Sequence, residues 1–371
     1  MRVCLDVQSA IGRRTGVGRY TRALAAALPA AAPTGDDVEG FYFDFRGRGG
    51  GADAPPLPAR RIRWIPGRIA QQSWKRLHFP PFDWLAGAYD LYHFPNFIRP
   101  PLTRGKSVVT IHDVSFLRMP ETTESRNLRY LASHIRDTVE RSDRIITDSR
   151  AMADDIHELL GVSRDRLRPI HPGLEPIFAP PRADRAAAAR ARLGLNRPYL
   201  LFVGTLEPRK NIPLLVDIFE HMGGESGDLV LVGMRGWHCD PILRRISDSP
   251  LRDRIRWLEY VAEEDLPSIY AGADCLVFPS RYEGFGFPPL EAMACGAPVV
   301  SSTGGSLREV LEGGARLVES EDPSAWAEAI RSILGDAAER EQWRARGFAQ
   351  ARRYRWDRTA RDTWAVYREL A

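Results

Sequence analysis

The sequence predicts an α/β protein of two domains, each built on a parallel β-sheet covered by helices. Three observations predict it. Short apolar segments alternate with helical stretches, the alternation stops once near Pro172, and it then starts again. A length of 371 residues also fits two domains. We therefore expect two Rossmann-like domains that face each other across a cleft, with ligands bound at the carboxyl ends of the strands.

The first half opens with a strand, a glycine loop and a helix. Residues 2–7 have the pattern of a buried strand, glycines punctuate residues 12–18, and residues 20–28 fit a helix. This order is typical of the start of a doubly wound domain. Three further strands are predicted at Leu91–Phe94, Ser107–Ile111 and Arg144–Thr147.

A connection between the halves is predicted at residues 172–190, which hold several prolines and lead into a helix. A second alternation follows. Its strands are predicted at Tyr199–Val203, Leu229–Val232, Ile255–Trp257, Cys275–Phe278 and Val299–Ser301. Its helices are predicted at Asn211–Met222, Asp265–Gly272, Pro289–Cys295, Pro323–Leu334 and Ala337–Arg353.

The bulk composition excludes several classes of protein. With 44% hydrophobic and 27% charged residues, the chain is not a disordered one. A net charge of +4 lacks the concentrated basic field of a nucleic-acid-binding protein. The four cysteines have no metal-ligand spacing, so we expect reduced thiols and no metal site. We find neither a secretory leader nor an apolar run of about 18 residues, so we expect a cytoplasmic protein.

Residues 60–87 combine six basic residues with five tryptophans and phenylalanines. Such a segment can lie on an anionic membrane surface. The alternative is a solvated helix whose aromatic neighbours belong to the core. Membrane contact through this segment would place the protein on the inner face of the membrane.

The segment Ser280–Gly296 reads SRYEGFGFPPLEAMACG and carries the strongest functional signal. It follows a predicted strand, and Pro289 suits the first turn of a helix that ends at Gly296. Backbone amides at residues 284–287 and the helix amino terminus could face an anion such as a diphosphate. Glu283 and Glu291, the latter expected in the first helical turn, could accept hydrogen bonds from sugar and ribose hydroxyls. The alternative is that Glu291 complements the helix dipole and Glu283 is a surface charge.

A second candidate group is the pair Arg209 and Lys210, between a strand and a helix of the same sheet. Adjacent cations there could clamp a diphosphate and stabilise it as a leaving group. A solvated basic pair is the alternative.

In the first half, His112 ends an apolar strand, where it could bond a sugar hydroxyl or have a structural role. The glycines at 16 and 18, next to Arg19, would let a backbone approach a phosphate or acceptor closely.

These segments together resemble the retaining glycosyltransferases of family 4, which have the GT-B fold. Glu283 and Glu291 match the E-x7-E signature of that family, and GTLEPRKN at 204–211 and AxCxVFPS at 273–280 match its second domain. GVGRY at 16–20, IHDVSFL at 111–117 and ITDS at 146–149 fit its first domain. The resemblance covers essentially the whole chain. It implies an acceptor-binding domain at 1–172, a donor-binding domain at 173–353, and a final helix within 354–371 that packs back on the first domain.

The resemblance also implies roles for single residues. Glu291 would hold the donor ribose, Glu283 the hydroxyls of the transferred sugar, and Arg209 and Lys210 the diphosphate, with His112 facing the sugar. Many members carry an arginine where this chain has Thr205, which is why the phosphate role is assigned to Arg209 and Lys210. The remaining donor-binding residues implied are Gly16, Thr205, Tyr260, Val261, Gly284, Phe285, Gly286 and Phe287.

The reaction implied is transfer of a hexose from a nucleotide-diphosphate sugar to a glycan or lipid-linked acceptor, by front-face substitution and without an essential metal or cofactor. The EPRKN segment favours GDP-mannose, with a UDP- or dTDP-sugar as the alternative. Two alternatives of other classes are a sugar-nucleotide epimerase and a non-catalytic nucleotide-binding module, because fold does not decide function.

Overall fold

The computed structural model describes residues 1–12, 16–47, 49–51, 54–225 and 227–371. Its contacts divide these residues into two compact units. The first unit comprises Met1–Val114, Arg129–Gly173 and Arg355–Ala371, and the second comprises Ser115–Leu128 and Leu174–Tyr354. Residues 115–128, which the sequence analysis placed in the first domain, thus belong to the second unit. The amino-acid composition does not change at residues 115–128, so the sequence carries no sign that this segment belongs to the second unit.

The first unit contains a parallel sheet that has seven strands within the described residues, in the order β3-β2-β1-β4-β5-β6-β7. The strands are β1 Arg2–Asp6, β2 Asp37–Phe43, β3 Ala59–Ile62, β4 Leu91–Phe94, β5 Lys106–Ile111, β6 Arg144–Thr147 and β7 Leu167–Pro169. The direction in which strands are added reverses between β1 and β4. Strands β2, β3 and β7 were not predicted. In β2, Asp37, Glu39 and Gly40 interrupt the apolar pattern, and β3 is an edge strand with two exposed arginines.

The helices of the first unit cover this sheet. They are α1 Gly16–Ala31, α2 Gly67–Leu77, α3 Phe82–Ala86, α5 Ser125–Arg141, α6 Arg150–Leu160 and α15 Trp356–Arg368. The first residues of α5 belong to the second unit, and so does the short helix α4 Ser115–Arg118. Helix α1 begins at Gly16, four residues before the predicted start at Tyr20, so Gly16 and Gly18 form its first turn and not a loop. Residues 13–15 of the predicted glycine loop lie outside the described residues. The first helical turn tolerates glycine there because the buried residues Tyr20, Leu24 and Leu28 anchor the helix.

The last helix packs against the first one. Trp364 and Tyr367 of α15 share a buried cluster with Leu24 and Leu28 of α1, and Trp364 Nε1 donates to the carbonyl of Leu28 at 2.9 Å. This apolar contact groups residues 355–371 with the amino-terminal sheet.

The second unit contains a parallel sheet that has six strands within the described residues, in the order β10-β9-β8-β11-β12-β13. The strands are β8 Tyr199–Val203, β9 Asp228–Val232, β10 Ile255–Leu258, β11 Cys275–Phe278, β12 Val299–Ser301 and β13 Arg316–Leu317. The helices are α7 Ala183–Arg192, α8 Ile212–His221, α9 Cys239–Ser247, α10 Leu266–Gly272, α11 Phe287–Cys295, α12 Leu307–Leu311, α13 Pro323–Gly335 and α14 Ala337–Ala351. Strands β9 and β11 are buried throughout, as expected for a parallel sheet covered on both faces.

None of the helices in the described part of the chain is both long and apolar enough to cross a membrane.

Candidate functional site

Two neighbouring strands of the second sheet bring the main candidate residues together. Strand β8 pairs with β11 in parallel, with Cys275 opposite Leu200 and Leu276 opposite Leu201. The sheet grows in one direction through β9 and β10 and in the other through β12 and β13. The carboxyl ends of β8 and β11 therefore flank the point where the strand order reverses, which is where open α/β sheets bind ligands.

The segment after β8 is shaped by a short 3₁₀ turn at Pro208–Lys210. Asn211, with a left-handed φ of 55°, ends this turn and begins α8. The carbonyl of Arg209 accepts a hydrogen bond from the amide of Arg281 at 2.9 Å, so this turn is tied to the segment that follows β11. Arg209 and Lys210 thus have fixed positions at the sheet edge.

Four charged side chains form a cluster there. Arg209 donates to Glu283 Oε2 at 2.9 Å and to Glu207 Oε1 at 2.8 Å, and Lys210 Nζ lies 2.5 Å from Glu283 Oε1. Arg209 also donates to the carbonyl of Tyr282 at 2.7 Å. Lys210 and Glu283 are buried. The cluster excludes both alternatives from the sequence, a solvated basic pair and a surface glutamate.

The electrostatics of this cluster fix the state of Glu283. Burial alone would raise its pKa, but the charges of Lys210 and Arg209 outweigh burial and lower that pKa to about 2. Burial lowers the pKa of Lys210, and the carboxylate of Glu283 opposes this shift. Glu283 is therefore ionised at neutral pH and too weak a base to take a proton efficiently. Its oxygens can still accept hydroxyl hydrogens at lone pairs that the cations leave open.

The glycine turn between β11 and α11 is held by the loop after β12. The single hydroxyl hydrogen of Ser306 is shared between the carbonyl oxygens of Glu283 at 3.1 Å and Phe285 at 2.9 Å, and the Ser306 amide donates to the Glu283 carbonyl at 3.0 Å. Gly305 forms a parallel bridge with Glu283, and a Cβ added at Gly305 would overlap the Glu283 carbonyl oxygen. The turn therefore has one well-defined shape.

Gly286, with φ of 102°, precedes the first residue of α11, Phe287. The next two residues are Pro288 and Pro289, which have no amide hydrogen. Within the described residues, the amides of Gly286 and Phe287 have no recorded acceptor, whereas Gly284 and Phe285 do make contacts. The amides of Gly286 and Phe287 are therefore candidates to face an anion at the helix amino terminus, and the anion-facing role of residues 284–287 stays a prediction.

Glu291 lies in the second turn of α11, because that helix begins at Phe287 and not at Pro289. The predicted position in the first turn was wrong, and with it the alternative that Glu291 serves the helix dipole. The side chain is buried, and its Oε2 accepts from the Tyr270 hydroxyl at 2.8 Å. Tyr270 thus fixes the buried carboxylate of Glu291, and the contact of Glu291 with a ribose stays a prediction.

The other donor-binding candidates of the second unit lie near the same sheet edge. Thr205 follows β8 and is exposed. Tyr260 and Val261 follow β10, two strands from β8, and Tyr260 is exposed whereas Val261 belongs to the core. Their contact with a nucleotide base stays a prediction.

His112 lies in the first unit, after β5, and both of its ring nitrogens are engaged. Nδ1 lies 2.7 Å from Asp148 Oδ2, and Nε2 lies 3.1 Å from the carbonyl oxygen of Pro95. Burial would lower the pKa of His112, but the charge of Asp148 and the bonds to both partners outweigh it and raise that pKa. Because Asp148 and the Pro95 carbonyl are both acceptors, this arrangement favours the protonated ring, which donates from both nitrogens. A bond to a sugar hydroxyl would require Nε2 to leave Pro95.

Gly16 is an exposed residue at the start of α1, and a Cβ placed there would meet nothing within 4 Å. Its contribution to donor binding stays a prediction.

Sequence reasoning missed four residues that hold the site in place: Asp148, Glu207, Tyr270 and Ser306. Glu207 was part of the quoted GTLEPRKN segment, and Asp148 part of ITDS, so both stood inside recognised motifs without an assigned role. Tyr270 and Ser306 carried no local signal. Among the described residues, no group of three or more His, Cys, Asp and Glu side chains is arranged to hold a metal.

Comparison with known proteins identifies the family. The family model described as Glycosyltransferase Family 4 matches residues 14–178, and the one described as Glycosyl transferases group 1 matches residues 185–350. The O-antigen chain mannosyltransferase B of Escherichia coli is 32% identical over 305 residues, which cover 81% of this chain and 80% of that protein. The chain belongs to glycosyltransferase family 4. This membership supports group transfer over the epimerase and the non-catalytic alternatives.

Solved structures show that this family 4 glycosyltransferase has the GT-B fold. Sucrose-phosphate synthase from Thermosynechococcus elongatus aligns with a TM-score of 0.76 and 25% identity, over all of this chain and 98% of that one. Anabaena HepE, solved with UDP and glucose, aligns with a TM-score of 0.74 and 19% identity over the full length of both chains. The two predicted Rossmann-like domains are thereby confirmed.

Proposed function

We propose that this glycosyltransferase moves a hexose from a nucleotide-diphosphate sugar to a glycan or lipid-linked acceptor with retention at the anomeric carbon. The observation that carries the proposal is the cluster of the partly buried Arg209 with the buried Lys210 and Glu283, at the point where the second sheet reverses its strand order. Two cations and a permanently ionised carboxylate suit a ligand that carries both phosphates and hydroxyls.

In the proposed reaction the bond between the anomeric carbon and the diphosphate oxygen breaks as the acceptor oxygen forms its own bond to that carbon on the same face. The departing diphosphate accepts the proton of the acceptor hydroxyl. Arg209 and Lys210 stabilise the negative charge that develops on the diphosphate. Glu283 and Glu291 orient the sugar and the ribose and move no proton, in keeping with the low pKa of Glu283.

GDP-mannose is the favoured donor. Its support is the EPRKN segment at 207–211 and the E. coli relative, which is named a mannosyltransferase. A UDP- or dTDP-sugar is the alternative, and Anabaena HepE was solved with UDP-glucose. We place this reaction in polysaccharide or glycolipid assembly, because the E. coli relative is named for an O-antigen chain.

The direct test is a thermal-shift panel of GDP-, UDP-, ADP- and dTDP-sugars. A ligand that binds only the folded state raises the melting temperature by mass action, and we expect GDP-mannose to give the largest shift. Glu291→Gln should remove most of that shift, whereas Glu328→Gln, on the exposed face of α13 in the same unit, should keep it. A panel without any shift would contradict the donor site, and a full shift in Glu291→Gln would contradict its ribose contact.

Turnover completes the test once the donor is known. Proton NMR of the product should show the anomeric configuration of the donor sugar, and an inverted product would refute retention. Because Arg209 and Lys210 supply positive charge to the leaving group, we expect turnover to persist in EDTA.

The proposal includes a peripheral position on the inner face of the membrane through residues 60–87. Trp64, Ile69, Leu77, Phe79 and Trp84 are each more than half exposed. Six basic residues accompany them, and the single acidic one, Asp83, is buried. Exposed apolar side chains among cations match the surface of an anionic bilayer. By contrast, Trp74 and Phe82 are buried, so the core alternative holds for those two aromatics.

A further inference from the structure

A cavity of about 440 Å³ opens in the first unit at the carboxyl ends of its first three strands. Its walls come from Gln8, Ile11 and Gly12 after β1, from residues 43–46 at the end of β2, and from residues 66–68 and Gln71 around the start of α2. This volume is within the usual range for sites that bind small ligands, about 300–1,000 Å³. The cavity is lined by residues of the first unit and includes none of the residues assigned above to the donor.

The charge of the cavity is positive. Arg46 and Arg68 line it and are exposed, and within the described residues neither guanidinium has a recorded ion pair or hydrogen bond. The carboxylate that lines it, Asp44, is buried and engaged: Oδ1 accepts from the amide of Gly49 at 3.1 Å, and Oδ2 lies 3.5 Å from Arg61. The two arginines lie on different walls and have no ion-pair partner among the described residues, so they favour an anion that both can reach. The planar guanidinium also matches phosphate oxygens well.

The rest of the lining suits a sugar. The ring of Phe45 is 56% exposed at the cavity wall and offers an apolar face to a pyranose ring. Gln8 Oε1 accepts from the amide of Phe43 at 2.8 Å, which fixes that side chain and leaves its NH₂ group as a donor. Gln71 adds a second exposed carboxamide. A free phosphate would not use the aromatic wall, and a neutral sugar would not use the two arginines.

We propose that this cavity binds the acceptor as a sugar that carries a phosphate or diphosphate ester, with Arg46 and Arg68 on the phosphate and with Phe45, Gln8 and Gln71 on the sugar. The assignment as acceptor rests on the proposed function; the binding of a phosphorylated sugar does not. A soluble sugar phosphate and a lipid-linked sugar diphosphate share this chemistry.

The test measures binding to the full chain by calorimetry, with mannose 1-phosphate as the probe and methyl mannoside and glucuronate as comparators. The calorimetry cell also contains the nucleoside diphosphate of whichever nucleotide sugar gives the largest thermal shift. It fills the donor site, so that the probe does not bind there. We expect mannose 1-phosphate to bind at least tenfold more tightly than either comparator. Methyl mannoside makes no charge-assisted bond to the two arginines, and the single carboxylate of glucuronate offers them fewer oxygens and less charge than a phosphate. Arg46→Gln with Arg68→Gln should abolish this preference.

The matched control is Arg358→Gln, which changes an exposed arginine of α15 in the same unit that neither lines the cavity nor belongs to residues 60–87, and it should keep the preference. Equal binding of mannose 1-phosphate by the double variant and the wild type would overturn the proposal. Equal binding of glucuronate and mannose 1-phosphate would overturn the phosphate assignment. The donor panel fails or succeeds independently, because it probes the second unit and needs no acceptor.

A second experiment distinguishes a soluble sugar phosphate from a lipid-linked sugar diphosphate. It compares binding to phosphatidylcholine vesicles that carry a polyprenyl-diphosphate-linked sugar with binding to vesicles that lack it. A preference for loaded vesicles that Arg46→Gln with Arg68→Gln removes and Arg358→Gln keeps identifies the lipid-linked form. Equal binding to both vesicles, together with tight binding of mannose 1-phosphate, identifies the soluble form. Failure of both probes would refute the site.

Discussion

At the scale of single residues, the charge of Lys210 depends on Glu283. Burial lowers the pKa of the Lys210 ammonium. The carboxylate of Glu283 is the largest influence in the opposite direction, and Glu207 acts in that direction more weakly. A neutral lysine could not stabilise a departing diphosphate. The carboxylate therefore contributes to turnover even in a role that transfers no proton.

Glu283→Gln should move the alkaline limb of the donor kcat/KM profile to lower pH. Without the carboxylate the pKa of Lys210 falls further below 10.5, so the ammonium is lost earlier as pH rises. The lost sugar contact should lower kcat/KM on the order of a hundredfold at neutral pH. The measurement is donor kcat/KM as a function of pH for the wild type and the variant.

Two further variants grade this effect. Glu207→Gln should move the alkaline limb to lower pH by a smaller amount, since Glu207 raises the pKa of Lys210 less than Glu283 does. This variant keeps the Lys210–Glu283 pair, so it provides a test even if Glu283→Gln folds poorly. Glu225→Gln, at an exposed pair with Arg331, should shift nothing. An alkaline limb that stays in place in both cluster variants would show that the charge of Lys210 does not limit the reaction.

At the scale of elements, the turn between β11 and α11 depends on one glycine. Gly286 has a φ of 102°, and a Cβ built there lies 2.7 Å from Leu307 Cδ2 of α12. An alanine would thus meet both backbone strain and a clash. The turn, with its two amides at the helix start, would have to move.

Gly286→Ala should have two effects. The strained φ should lower the free energy of unfolding by roughly 1–3 kcal/mol, and the displaced turn should weaken binding of the preferred nucleotide about tenfold. Gly313→Ala is the matched control, because Gly313 has φ of 84° but open space around it. It should lose stability and keep nucleotide affinity. Urea unfolding and calorimetry on both variants measure the two effects, and equal affinities would show that the turn does not form part of the site.

Elements with strong local signals were predictable, and the contacts between them were not. Strands β4, β8 and β11 have the predicted bounds because each is a short, largely apolar run that aspartate, proline or glycine bounds at both ends. The pairing of Arg209 and Lys210 with Glu283 joins residues 74 and 73 positions apart, and it depends on β8 and β11 being neighbours. The spacing of residues indicated a shared sheet edge but not this strand order. The bond between His112 and Asp148 escaped prediction for the same reason, because it joins the ends of β5 and β6.

At the scale of the whole molecule, the exposed residues of 60–87 predict where the protein resides. Sedimentation with vesicles should show binding to phosphatidylcholine mixed with phosphatidylglycerol and little binding to phosphatidylcholine alone. Each basic residue near an anionic surface contributes about 1 kcal/mol, so added salt should weaken the binding. Vesicle binding that remains at high salt should come from insertion of the exposed apolar side chains into the bilayer.

Paired substitutions distinguish binding through residues 60–87 from non-specific adsorption by any exposed apolar side chain. Trp64→Ser and Leu77→Ser should each lower the vesicle partition coefficient about tenfold, since burial of one large apolar side chain contributes about 1.5–3 kcal/mol. Trp237→Ser and Ile177→Ser remove exposed apolar residues of the second unit and should leave the partition coefficient unchanged. Equal losses in all four variants, or equal binding to neutral and anionic vesicles, would mean that residues 60–87 do not form the membrane-binding surface. A loss confined to Trp64 and Leu77 would place the protein on the bilayer through its first unit, the unit that also contains the arginine-lined cavity.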